Sequence, residues 1–158
     1  MYEGADAAWL DHETVLLAEG LRTNREGARQ VRDALREMGV EVLMTRMNPG
    51  AMHLMGQLRF LDRDLAVILD GRVAPSTMDA LRSRGYRILE VPQGEETIGR
   101  MALNFVTLGP RRILMGAGNP STQEKLEREG VHCVTVQIEE LIKGAGGIGC
   151  MTGVLART

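Results

Sequence analysis

The chain has 158 residues, 44% of them hydrophobic and 25% charged, with a formal net charge of −2, so it is long enough for one domain with a real core and lacks the basic balance that nucleic-acid binding calls for. No apolar run approaches a membrane span, and the opening Met1-Tyr2-Glu3-Gly4-Ala5-Asp6 has neither the charged nor the apolar region of a signal peptide. The two cysteines, Cys133 and Cys150, make no disulfide framework, and a cytoplasmic location with no nucleic-acid or membrane partner is expected.

The chain reads as a repeat. Ala7–Leu10 and Thr14–Ala18 are two strands joined by the polar turn Asp11-His12-Glu13. Thr23 or Asn24 caps a helix to about Met38, whose apolar positions Ala28, Val31, Ala34, Leu35 and Met38 fall at helical spacing. Gly39 ends it, and Val40–Met44 is the next strand. The pattern returns with strands at Leu58–Leu61 and Leu65–Leu69, a helix opened by Pro75-Ser76-Thr77 and stopped at Gly85, and a strand at Tyr86–Val91. It returns again with strands at Asn104–Leu108 and Arg112–Met115, a helix opened by Pro120-Ser121-Thr122 and stopped at Gly130, and a strand at Val131–Val136. The expected architecture is α/β: one domain of three ββαβ units, about residues 1–48, 52–100 and 101–158, stacked or arranged radially.

After a helical turn at Ile138–Lys143 comes Gly144-Ala145-Gly146-Gly147-Ile148-Gly149-Cys150, followed by small and apolar residues that read as a short strand. Gly144 to Gly149 formally match the dinucleotide fingerprint G-x-G-x-x-G, but no strand precedes them and too little chain follows for a crossover helix. Two readings of Cys150 stand side by side. It is a small buried residue after a glycine turn, or a nucleophile delivered by a glycine hinge.

Other residues carry similar pairs of readings. His53, in a small loop opening onto a strand, is structural, or it is the proton-transfer partner that a thiol nucleophile needs. Glu3 and Asp6 belong to a solvated terminus, or they are paired carboxylates for a cationic substrate. Arg22 is a surface arginine, or a clamp for a substrate carboxylate. His12 lies in a turn, and His132 and Cys133 point to opposite faces of one strand. No zinc spacing, Walker loop or Ser-His-Asp pattern is present, so neither a metal nor a cofactor is expected.

Glu3-Gly4-Ala5-Asp6, Arg22-Thr23-Asn24, Met52-His53-Leu54 and Gly146-Gly147-Ile148-Gly149-Cys150-Met151-Thr152, in that order, resemble the C-terminal part of the guanidine-modifying superfamily. Its members are arginine deiminases, dimethylarginine dimethylaminohydrolases and glycine amidinotransferases, built as a pentein-type α/β propeller of five ββαβ units. The resemblance implies a partial propeller that begins about two units in. It implies Cys150 as nucleophile, His53 as proton-transfer residue, Glu3 as catalytic carboxylate, and Asp6 and Arg22 as substrate-binding groups. The implied reaction, in arginine metabolism, is hydrolysis or transfer of a guanidino group through a covalent thiouronium intermediate. Met55 stands where deiminases carry an aspartate, Gly149 where the family has histidine, and Ala5 and Ala145 where it has glycine. A non-catalytic relative serving as a binding or assembly module is the second expectation. A homo-oligomer, or a second chain supplying the missing units, is expected because an unclosed array leaves sheet edges open.

Overall fold

The computed structural model describes residues 1–155, divided between a compact unit spanning Met1–Pro92 and a second starting at Gln93. In the first unit, strands β1 (Ala7–Trp9), β2 (Thr14–Glu19) and β3 (Glu41–Arg46) form one sheet, with helix α1 (Arg25–Glu37) between β2 and β3. β1 pairs antiparallel with β2, and β2 pairs parallel with β3 from Thr14 opposite Glu41 to Glu19 opposite Arg46. Strands β4 (Leu58–Phe60), β5 (Leu65–Leu69) and β6 (Arg87–Val91), with helix α2 (Pro75–Ser83) before β6, repeat the same order and the same senses.

The central strands are apolar on both faces because both faces are covered. Along β2 the side chains alternate. Val15 and Leu17 pack with Ala28 and Val42 under α1, whereas Leu16 and Ala18 join Leu54, Leu58, Ala66, Ile68 and Leu81. Each fully buried leucine contributes about 2 kcal/mol by leaving water.

Helix α1 starts where the capping chemistry places it. The Asn24 side chain accepts from the Gly27 amide at 2.8 Å, satisfying one of the unpaired N–H groups of the first turn. Gly27 is required there: a Cβ would lie 2.0 Å from the Met1 carbonyl oxygen. The Met1 carbonyl accepts from Asn24 N–H at 3.1 Å, so the opening residues are tied to the helix rather than frayed.

The second unit carries one further repeat: β7 (Val106–Gly109), β8 (Arg112–Gly116), helix α3 (Pro120–Arg128) and β9 (His132–Val136), again antiparallel then parallel. The short helix α4 (Glu139–Lys143) follows. β7 starts two residues later than the sequence predicts, because Asn104 bonds elsewhere. The strand predicted after Cys150 is absent up to residue 155. Gly149–Met151 form a single 3-10 turn instead, and the Thr152 hydroxyl donates to the Ile148 carbonyl at 2.8 Å. The last residues of the third predicted repeat, 156–158, lie outside the described residues.

A wide turn at Glu95–Gly99, closed by Arg100 N–H donating to the Glu95 carbonyl at 2.8 Å, precedes β7. It delivers Glu96 to the start of α3, where Asn119 makes no side-chain cap. The Glu96 carboxylate accepts from Ser121 N–H (3.0 Å), Thr122 N–H (2.8 Å) and the Thr122 hydroxyl (2.7 Å). Burial works against the charged form, but the bonds from Thr122 and Ser121 outweigh it and hold the carboxyl below its usual pKa. A lowered folded-state pKa gives stability that is present above the unfolded value and lost as pH falls through the folded one. Glu96→Ala is therefore expected to cost about 1 kcal/mol at pH 7. In thermal melts the deficit should shrink as the pH is taken below 4.5, the ordinary value for this carboxyl.

Candidate active site

In the first unit, two short 3-10 turns feed the first strands of their repeats: Gly4–Asp6 before β1 and Leu54–Gly56 before β4. A buried hydrogen-bond network joins them. Asp6 is fully buried. Its Oδ2 accepts from the Thr23 hydroxyl at 2.7 Å, and its Oδ1 accepts from Leu54 N–H at 3.0 Å. The Thr23 oxygen in turn accepts from Glu3 N–H at 3.1 Å. The backbone beside Glu3 and the backbone beside His53 are thus held by one carboxylate.

That anchoring brings the two side chains together. His53 Nε2–H donates to Glu3 Oε2 at 2.5 Å, with both groups partly buried. The tautomer follows from the acceptor, since an ionised carboxylate has no proton to give. Arg22 Nε lies 3.2 Å from the other Glu3 oxygen. Glu3 therefore bridges an imidazole and a guanidinium, an arrangement that orients the ring. The structure brings Glu3, Asp6, Arg22 and His53 into one cluster, although Asp6 spends both oxygens inside the protein.

Cys150 belongs to the second unit and is exposed, which removes the reading of it as a small buried residue. It sits in the middle of the Gly149–Met151 turn. The sequence reading misses the residue that holds it, Asn104. The Asn104 Oδ1 accepts from Cys150 N–H at 3.1 Å, and Asn104 Nδ2 donates to Cys150 Sγ at 3.0 Å. Cys133 contrasts with it: burial first, then the Glu127 charge, pushes that thiol up to about 11, so it is protonated near neutral pH.

A concavity of about 300 Å³ lined by Leu10, Asp11, Arg63, Arg84 and Tyr86 contains none of the expected site residues. Among the described residues, no group of His, Cys, Asp and Glu is placed to hold a metal ion, and no helix is long and apolar enough to cross a membrane.

The family model described as arginine deiminase matches residues 73–157, more than half of the chain. The chain belongs to this guanidino-modifying superfamily. Among its relatives is the N(G),N(G)-dimethylarginine dimethylaminohydrolase of Pseudomonas aeruginosa, 31% identical over 137 residues, which cover 86% of this chain and 49% of that protein. An uncharacterized protein of Aeropyrum pernix is 29% identical over 150 residues, covering 95% of this chain and 52% of the relative. A solved structure of the Pseudomonas aeruginosa dimethylarginine dimethylaminohydrolase complexed with citrulline aligns with a TM-score of 0.75 at 28% identity, over 93% of this chain and 53% of the other. The inosamine-phosphate amidinotransferase of Streptomyces griseus aligns at TM-score 0.79 and 18% identity, over 98% and 46% respectively. That last likeness concerns the fold alone. The chain spans about half the length of the curated relatives it matches. The fold is that of the pentein-type propeller proteins, represented here by three ββαβ repeats.

The cluster's dependence on Asp6 gives a direct expectation. Asp6→Ala leaves Leu54 N–H and the Thr23 hydroxyl without their buried partner, at about 1–3 kcal/mol for each group. Asp6→Asn keeps an oxygen for one of them and should cost less. Urea unfolding followed by the fluorescence of Trp9, the only tryptophan, checks both.

Proposed function

We propose that the chain is the nucleophile-bearing part of a cysteine-dependent hydrolase that acts on the guanidino group of an arginine-like substrate. The observation that carries this reading is the His53–Glu3 pair at 2.5 Å, bridged to Arg22, in a chain that belongs to a guanidino-modifying family.

In this reading the Cys150 thiolate attacks the guanidinium carbon, forming a C–S bond. His53, oriented by Glu3, gives a proton to the departing amine as the C–N bond breaks. The product of this half-reaction is a covalent thiouronium. Water, deprotonated by the now neutral His53, adds to the same carbon. The thiolate then leaves, and a ureido product is released. Arg22 holds the substrate's carboxylate. Asp6 acts through the backbone, by holding the His53 turn in register. A transferase differs only in the second step, where an amine takes the place of water.

The chain is expected to release ureido product from arginine, from a methylated arginine or from agmatine in a colorimetric assay. Cys150→Ser should abolish this, at least about 10³-fold, and His53→Ala should lower it about 10²–10⁴-fold. The alternative is a non-catalytic relative that serves as a binding or assembly module. It predicts no product from any of these substrates.

An oligomer, or a second chain that completes the ring of repeats, belongs to the same proposal. What supports it is the pattern of the sheets. Among the described residues each has three strands, and the outer strands leave Trp9, Met44, Leu108 and Val136 exposed. An unpaired strand edge is a template for pairing with another chain, and apolar side chains beside it favour that pairing. Light scattering at micromolar concentration should give a mass above the 17.3 kDa of one chain; a single monomer mass would refute homo-oligomerisation.

A further inference from the structure

Asn104 lies 46 positions before Cys150 and makes two side-chain hydrogen bonds to it. Chemistry fixes which end of the carboxamide faces which atom. The Cys150 backbone N–H is a donor only, so the amide oxygen must face it. The NH₂ group is thereby turned toward the sulfur, and the sulfur is the acceptor. A thiolate accepts such a bond more strongly than a thiol, since charge-assisted hydrogen bonds are about twice as strong as neutral ones. The Asn104 backbone carbonyl takes a third bond, from Gly149 N–H at 3.1 Å. One residue thus grips the turn at two consecutive backbone N–H groups and at the sulfur.

The gripping residue is itself rigid. Asn104 N–H donates to the Met101 carbonyl at 2.8 Å, and Met101 is held in the left-handed region at φ 53°. Ala102 N–H donates to the Glu96 carbonyl at 2.8 Å. Ala102, Leu103 and Phe105 around it are buried. On the opposite side, a Cβ at Gly147 would lie 2.8 Å from Asn104 Cγ and Oδ1. The glycines before Cys150 therefore do more than bend: Gly147 makes room for this carboxamide.

We propose that Asn104 is the positioning residue for Cys150, fixing the direction of its sulfur and favouring its anionic form through the Nδ2–H···S bond. The proposal rests on Cys150 being the nucleophile, but it is tested on the thiol rather than on turnover. Aspartate is the informative replacement. Its shape is that of asparagine, and one oxygen still serves Cys150 N–H, yet an anionic oxygen would face the sulfur where a donor now stands.

The rate of Cys150 alkylation by iodoacetamide, mapped by mass spectrometry from pH 5.5 to 9.5, should move to higher pH by about one unit in Asn104→Asp, a tenfold fall in rate at pH 7. Asn104→Ala should show a smaller shift in the same direction. Cys133, in the same molecules, should be unchanged and serves as the reference. Coincident profiles for wild type and Asn104→Asp would overturn the proposal. If the variants do not fold, the wild-type protein still decides. The side-chain NH₂ resonances of Asn104 should titrate with the thiolate absorbance at 240 nm and shift on alkylation of Cys150; resonances that stay still would overturn it equally. A displaced profile together with no ureido product would retire the hydrolase reading and leave the role of Asn104 standing.

Discussion

One buried carboxylate sets the geometry of the first unit's site. Asp6 has no exposure and two partners, the Thr23 hydroxyl and Leu54 N–H. A buried carboxylate is tolerated only when its oxygens are satisfied, so the segment that carries it and the two that satisfy it must meet in one arrangement. They are the opening turn, the turn before α1 and the turn before β4. Glu3 and His53 inherit their separation from that meeting, and Arg22 its approach, since it adjoins Thr23. The cluster is thus an outcome of polar satisfaction in the interior, not of attraction among the surface groups alone, which is worth little by itself.

The repeats use one position for different purposes. In each, the residues just before the first strand carry the polar chemistry: Glu3–Asp6 before β1, His53 and Leu54 before β4, Asn104 before β7. A strand that starts from a well-anchored turn gives its preceding residue a defined direction, while the sequence of the turn is free to differ. The repeat supplies equivalent mounts. The side chains on them have become a carboxylate, an imidazole and a carboxamide.

Much of this was legible from the residues in order. The alternation in β2 and β5, the Asn24 cap and the Pro-Ser-Thr helix starts are local signals, and local signals dominate where one element is formed by its own residues. The motif residues Glu3, Arg22 and His53 were legible from resemblance, and the structure draws them together. What escaped was long-range. Asn104 reads as the first residue of a strand, because its partner is 46 positions away and nothing nearby announces it. The Glu95–Gly99 turn escaped because its purpose, placing Glu96 on α3, is written in Ser121 and Thr122. The strand expected after Cys150 failed for the same cause: hydrogen bonds from Cys150 N–H to Asn104 and from the Thr152 hydroxyl to Ile148 curl the chain into a turn that the β-forming residues alone would not choose.

The contact between Gly147 and Asn104 also constrains how such a protein changes over time. With the carboxamide occupying the space a methyl group would need, neither position is free to drift alone. A lineage that lost the asparagine would open a small void and relieve the demand for glycine, whereas one that first acquired a side chain at 147 would push the amide off the sulfur before any substitute existed. Glycine at 147 is therefore tied to the asparagine 43 positions earlier in the chain, and a substitution at either place is felt at the other.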